Sequence, residues 1–175
     1  MLRTSRLRLR HWLAQDHDPF AAMNADPRVM EFLGEPLSRA ESDALADRCA
    51  QELADNGWGP WAVERLSDGR FIGFVGLRRV GPHLPFAPAI EIAWRLAADV
   101  WGQGYATEAA RCALAFGFNQ LRLTDIVSFT AAVNQRSAAV MQRLGMNFEG
   151  TFEHPRLPEG HALRTHVLYR LRQAG

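Results

Sequence analysis

The sequence contains no lysine; all twenty of its basic residues are arginine. That absence excludes Schiff-base chemistry and the phosphate-binding lysine of a Walker A loop. Cysteine is scarce as well. Cys49 and Cys112 are too few for a disulfide framework and have no metal-ligand spacing, so they read as two buried thiols of a cytoplasmic protein. The six histidines form no H-x-x-x-H pair, and no metal site is expected. There is no signal-peptide pattern and no apolar run long enough to span a bilayer. A net charge of +1 offers no general attraction for nucleic acid or a membrane surface. What is present is 175 residues, 47% hydrophobic and 22% charged, without repeats. One domain over residues 1–175, built on one core, is expected.

The period-two run Arg6–Arg10 predicts a half-buried strand whose arginines form a solvated face. Asp16–Ala25 and Arg28–Leu33 read as short helical pieces broken at Pro19 and Pro27. Ser38-x-x-Glu41 is a capping box opening a helix to about Asn56, with Ala44, Leu45, Cys49 and Leu53 on one face. A turn at Gly57–Pro60 leads to strands Trp61–Leu66 and Phe71–Val80, joined by the hairpin signal Ser67–Arg70. A loop with three prolines, Pro82–Pro88, precedes strand Ala89–Leu96. The small residues of Thr107–Leu121 suit a helix packed closely on a sheet. Strand Thr124–Ala131 is followed by Asn134 as N-cap of helix Gln135–Leu144, with Gly145 just past its end. Met146–Glu153 and Arg164–Leu171 close the chain as strands around the loop His154–Leu163. This order predicts a mixed α/β sheet with helices on its faces.

Between strand Ala89–Leu96 and helix Thr107–Leu121 lies Asp99–Ala109, DVWGQGYATEA. Gly102 and Gly104 allow a tight turn and a close approach of backbone to ligand. The loop empties onto a helix N-terminus, whose unpaired N–H groups and dipole favour an anion, and Glu108 in the first turn suits the same dipole. The spacing is not that of a Rossmann fingerprint, because the third glycine position falls on Thr107. On spacing alone, a helix-capping turn that binds nothing is as good a reading as a phosphate site.

The run Glu91–Ala109, EIAWRLAADVWGQGYATEA, resembles motif A of the GCN5-related N-acetyltransferases (GNAT), in the manner of their RimJ/RimL-like branch. The Q/R-x-x-G-x-G/A positions of that motif fall on Trp101, Gly104 and Ala106; Trp101 departs from the general motif but is usual in the branch. The segments Thr4–Arg10, Trp61–Glu64 with Gly69–Leu77, Asn134–Met146 and His166–Leu171 resemble the branch in the same order.

The resemblance implies a GNAT-like, mostly antiparallel sheet of six to seven strands, splayed between the motif A strand and the next. It implies that backbone amides of Trp101, Gly102, Gln103, Gly104, Tyr105, Ala106 and Thr107 hold the pyrophosphate of acetyl-CoA. The pantetheine arm would add like a short strand to backbone groups of Trp94, Arg95 and Leu96. Asn134 matches an asparagine that meets pantetheine, though a plain N-cap explains it equally well. The tyrosine that many members use to protonate the departing thiolate is replaced by Met141, and Ser137, one turn earlier, matches a serine of the branch; an ordinary first-turn serine is its alternative.

Glu91 matches a glutamate that acts as base through water, the alternative being a salt bridge to Arg95 or a neighbouring strand. Alternation places Glu91 opposite the core-facing Ile90, Ile92 and Trp94, towards a cleft. Such a base should matter most at low pH, where the amine is protonated. Trp58 is a candidate wall of the acceptor site, Trp61 reads as core, and His83 and Phe86 sit on a loop that could close over the acceptor. Acetyl transfer to a primary amine, with preference for an α-amino group, is the leading expectation; a non-catalytic CoA-binding module is the alternative that Met141 keeps open. No nucleic-acid or membrane partner is expected, and a homodimer is left open.

Overall fold

The computed structural model describes residues 1–173. Eight strands form one sheet: β1 (Leu2–Arg3), β2 (Leu7–Arg10), β3 (Pro60–Arg65), β4 (Phe71–Arg79), β5 (Ile90–Leu96), β6 (Asp125–Ala131), β7 (Asn147–Glu153) and β8 (Thr165–Arg172). Their spatial order is β1-β2-β3-β4-β5-β6-β8-β7. Every neighbouring pair is antiparallel except β5 with β6. The expected mixed α/β, mostly antiparallel architecture is therefore present, with β1 as an additional strand too short to leave a periodic signal. Among the described residues no helix is long and apolar enough to cross a membrane.

Helices cover both faces. On one lie α1 (His17–Asn24), α2 (Pro27–Met30) and α3 (Arg39–Asn56); on the other lie α4 (Tyr105–Asn119) and α5 (Gln135–Arg143). Alternation along the strands divides the core accordingly. Ile72, Val75, Leu77, Ile92 and Leu96 pack with Ala109, Ala110 and Ala113 of α4, whereas Ala62, Phe71 and Phe74 pack with Phe20, Met23 and Ala46. The α4 face packs closely on the sheet: a Cβ on Gly117 would lie 2.8 Å from Ile126 Cδ1, and that side chain would have to shift.

Several sequence expectations need correction. Pro19 does not break α1; it occupies the first turn, where its missing N–H costs nothing. Asp26 caps α2, with Pro27 as its first residue. The capping box on α3 is present, but the buried face is Ser42, Ala46, Cys49 and Leu53, and Ala44 is exposed. Cys49 is buried, and burial pushes its thiol up to about 11; Cys112 is only partly covered. The arginine stripe of β2 is not uniformly solvated. Arg10 is buried, donating from Nη1 and Nη2 to the fully buried Asp16 at 2.7 and 2.9 Å and from Nε to Glu64 at 2.7 Å.

Candidate active site

The parallel pair β5–β6 is where the sheet opens. Its single paired register is Glu91 with Val127, and beyond it the strands part. The Ala89 carbonyl and the Ala97 amide bond to the β4 side, to Val80 and Ile72. By the alternation of an antiparallel ladder, the backbone groups of Ile92, Trp94 and Leu96 face the other way, into the gap. Two of these are occupied: Ser128 Oγ donates to the Ile92 carbonyl at 3.0 Å and Trp101 Nε1 to the Leu96 carbonyl at 2.9 Å. The N–H and C=O of Trp94 and the N–H of Leu96 remain aimed at the gap. Arg95 contributes no backbone group there; its main chain faces β4.

After β5 the chain makes a 3₁₀ turn at Ala98–Val100 and enters α4 through Gly102 and Gly104, with φ of 75° and 80°. These left-handed values are why glycines stand here. The helix begins at Tyr105, two residues before the expected Thr107. Its N-terminus has no side-chain cap, and its first internal hydrogen bond runs from Glu108 N to the Gly104 carbonyl. The N–H groups of Gly104, Tyr105, Ala106 and Thr107 thus lack an intrahelical partner. Glu108 does not face this site. Its carboxylate receives Thr4 Oγ1 at 2.5 Å and Arg6 Nε at 2.6 Å. Arg6 in turn donates to the Gln103 carbonyl at 3.0 Å and lies 4.5 Å over the Tyr105 ring, so the N-terminal strands brace the loop from outside.

Gap and loop open into one cleft of about 740 Å³. Of the expected residues, Trp94, Arg95, Leu96, Trp101, Gly102, Gly104, Tyr105, Ala106, Thr107, Asn134 and Ser137 line it. Gln103 does not; its carbonyl is held by Arg6 and its side chain turns towards Asp99. Asn134 is the N-cap of α5: Oδ1 accepts from Ser137 N at 3.2 Å, while Nδ2 donates to Thr130 Oγ1 at 3.0 Å and Ser137 Oγ at 3.1 Å. Both amide hydrogens are used, and a second lone pair on Oδ1 is what remains for a ligand. Ser137 Oγ accepts that bond and keeps its own proton to donate. Met141 is buried in the core at 1% exposure and presents nothing to the cleft.

Glu91 lies on the sheet face expected, opposite Ile92 and in register with Arg78. It makes neither of the salt bridges considered for it, since Arg78 is paired with Glu52 of α3 at 2.8 Å. Burial pushes its carboxyl up to about 7, with Arg78 opposing and Glu52 reinforcing the shift. It stands at the closed end of the β5–β6 gap and is not part of the cleft wall. Trp58 is also not at the cleft: it packs against the α4-side core, beneath the Arg79 guanidinium at 5.4 Å. The loop bearing His83 and Phe86 folds onto β6 and β7, where Phe86 meets Phe129 and Phe152 at 5.3 and 5.0 Å. Among the described residues no three His, Cys, Asp or Glu side chains gather where they could hold a metal ion.

A sheet opened between two parallel strands, with an uncapped helix N-terminus at the opening, is matched by a sequence family. The profile of the acetyltransferase (GNAT) domain covers residues 6–147. The chain belongs to the GNAT acetyltransferase family. An Aspergillus fumigatus relative named FsC-acetyl coenzyme A-N(2)-transacetylase is 30% identical over 161 residues, which are 86% of this chain and 66% of that one, so the acetyltransferase spans just under two thirds of its length. An acetyltransferase from Agrobacterium tumefaciens, 28% identical, superposes with a TM-score of 0.79 over 98% of this chain and 94% of its own. The ribosomal-protein α-N-acetyltransferase RimL, solved with coenzyme A, superposes at 0.78 over 97% and 95%, but at 16% identity that likeness is one of fold. Membership places the chain among the acetyltransferases of that family.

Sequence reasoning missed part of this acetyltransferase's cleft. Val29, Phe32 and Leu33 form a wall from α2 and the turn after it, and Arg136, Val140 and Arg143 form another from α5. Arg136 spans the two, bonded to Glu31 at 2.8 Å and lying 4.5 Å over Trp101 and 5.4 Å over Phe32. The 3.6-residue spacing of Arg136, Val140 and Arg143 was a signal available in the sequence; the wall from α2 left none.

Proposed function

We propose that the protein moves an acetyl group from acetyl-CoA to the α-amino group of a peptide or small molecule, by direct attack with both substrates bound. The observation that carries this reading is the β5–β6 gap continuous with the uncapped N-terminus of α4. The donor set fits coenzyme A: free N–H groups at Gly104–Thr107 suit a pyrophosphate. The N–H and C=O of Trp94 suit the amides of a pantetheine arm, and the Oδ1 lone pair of Asn134 suits one of its N–H groups. The Aspergillus relative's name supports the same donor, an acetyl group carried on coenzyme A and moved to nitrogen. Bound acetyl-CoA supplies the acyl group as a thioester.

The remaining work falls to this chain. Backbone N–H groups along the gap offer hydrogen bonds to the carbonyl oxygen as charge develops there. Glu91, held near 7, takes up the amine proton through water from the closed end of the gap. Ser137, whose Oγ already accepts from Asn134, donates its proton towards the departing sulfur in place of the absent tyrosine. Trp101 and Ser137 also support placement near the RimJ/RimL-like branch, whose named member acts on a protein α-amine. An α-amine, with a pKa near ~8, is far easier to deprotonate than a lysine amine near ~10.4. Thiol release measured with peptides carrying both groups should show acetylation first at the free N-terminus. Faster acetylation of an internal lysine would refute the preference.

A further inference from the structure

Arg95 differs from the other arginines in its surroundings. Among the described residues, every other arginine either pairs with a carboxylate or is exposed. Arg95 is largely covered and has no carboxylate within ion-pair distance. Its Nη1 donates to Asn24 Oδ1 at 2.7 Å, and its Nε is buried without a partner. The guanidinium lies 5.8 Å from the Phe74 ring. Asn24 is 0% exposed and fixed in turn, donating from Nδ2 to Ser42 Oγ at 2.9 Å. A buried chain of Ser42, Asn24 and Arg95 therefore holds a cation in one orientation without neutralising it. Burying an uncompensated charge is costly: burial, opposed by Cys49 and reinforced by the Arg78 charge, brings this guanidinium down to about 10. An arriving anion would offset that cost.

The position of Arg95 says which anion. It lines the cleft beside the apolar Val29, Phe32 and Leu33. Its side chain projects from the sheet face that carries Glu91, away from α4, whose N-terminus suits the phosphates. Glu91 and Arg95 are separated on that face by Ala93, a methyl group that leaves the floor between them low. A polyamine would bring like charge to the guanidinium. We infer that Arg95 anchors a carboxylate of the acceptor, and that the acceptor is a free α-amino acid with an apolar side chain. The inference rests on the transfer reading above and names its substrate class.

The experiment compares leucine, leucinamide, isoamylamine and a peptide with an acidic second residue, each with acetyl-CoA, by thiol release with rates corrected to the neutral amine. The wild-type enzyme should favour leucine over leucinamide by about 10- to 100-fold in kcat/KM, the worth of a charge-assisted pair. In Arg95→Gln that ratio should fall to near one, through KM for leucine, while calorimetry gives an unchanged affinity for acetyl-CoA. Equal use of leucine and leucinamide by the wild type would overturn the inference and leave the transfer reading standing; this comparison needs no variant to fold. Preference for the acidic peptide, or an Arg95→Gln variant that loses acetyl-CoA affinity but keeps its leucine preference, would also overturn it. Binding of acetyl-CoA with no thiol release from any amine would remove both readings.

Discussion

Replacing Glu91 by glutamine keeps the shape of the side chain and removes its titration. The structure sets how the loss should vary with pH. A carboxyl at about 7 is roughly 90% ionised at pH 8, about 10% at pH 6 and about 1% at pH 5. General-base help is typically worth about 10²–10⁴-fold, and a base acting through water on an α-amine belongs at the low end, about 10². The deficit of Glu91→Gln in kcat should then be about 90-fold at pH 8, about 10-fold at pH 6 and about twofold at pH 5. This reverses the sequence-based expectation of a larger loss at low pH, which considered the protonation of the amine and not that of the buried base. The assay is the pH profile of kcat for both proteins at saturating acetyl-CoA. A deficit of equal size at every pH would mean that Glu91 positions the acceptor or supports β5. A deficit that grows towards acid would mean its carboxyl is not held near 7.

Ser137→Ala should lose about 10²-fold in kcat, the low end for a general acid because a CoA thiolate leaves fairly well unaided, with acetyl-CoA affinity retained; a wild-type rate in steady-state assays would return Ser137 to the capping of α5. Asp16→Ala leaves the buried Arg10 with one carboxylate partner instead of two and should cost about 3–5 kcal/mol in urea unfolding. A loss below about 1 kcal/mol would mean the pair behaves as a surface salt bridge.

The elements that positioned the site were legible because each carries a local cause. The period-two run at β2, the Ser38 capping box and the Asn134 cap are short-range patterns, and each appears in the structure at or within a residue of its expected place. The glycine loop was legible because left-handed backbone favours glycine. What was not legible depends on partners distant in sequence. The burial of Arg10 requires Glu64, 54 residues away. The position of Trp58 off the cleft follows from which face of the sheet the turn before β3 packs on. The orphaned guanidinium of Arg95 is visible only when Asn24, 71 residues earlier, is brought to it. Glu91's raised pKa likewise comes from burial between distant elements, with Glu52, 39 residues earlier, reinforcing it.

Titration of acetyl-CoA into the wild-type protein and into Gly104→Val, followed by calorimetry, tests the central claim most directly. The substitution forces a β-branched residue to a φ of 80° at the mouth of the cleft. Its strain, about 1–3 kcal/mol, is small enough for a typical domain to remain folded, which circular dichroism can verify. The account predicts that the wild type binds acetyl-CoA and that the folded variant loses at least about tenfold in affinity, because the α4 N-terminus can no longer meet the pyrophosphate closely. Equal affinity in the two proteins would contradict the assignment of this loop as the coenzyme A site.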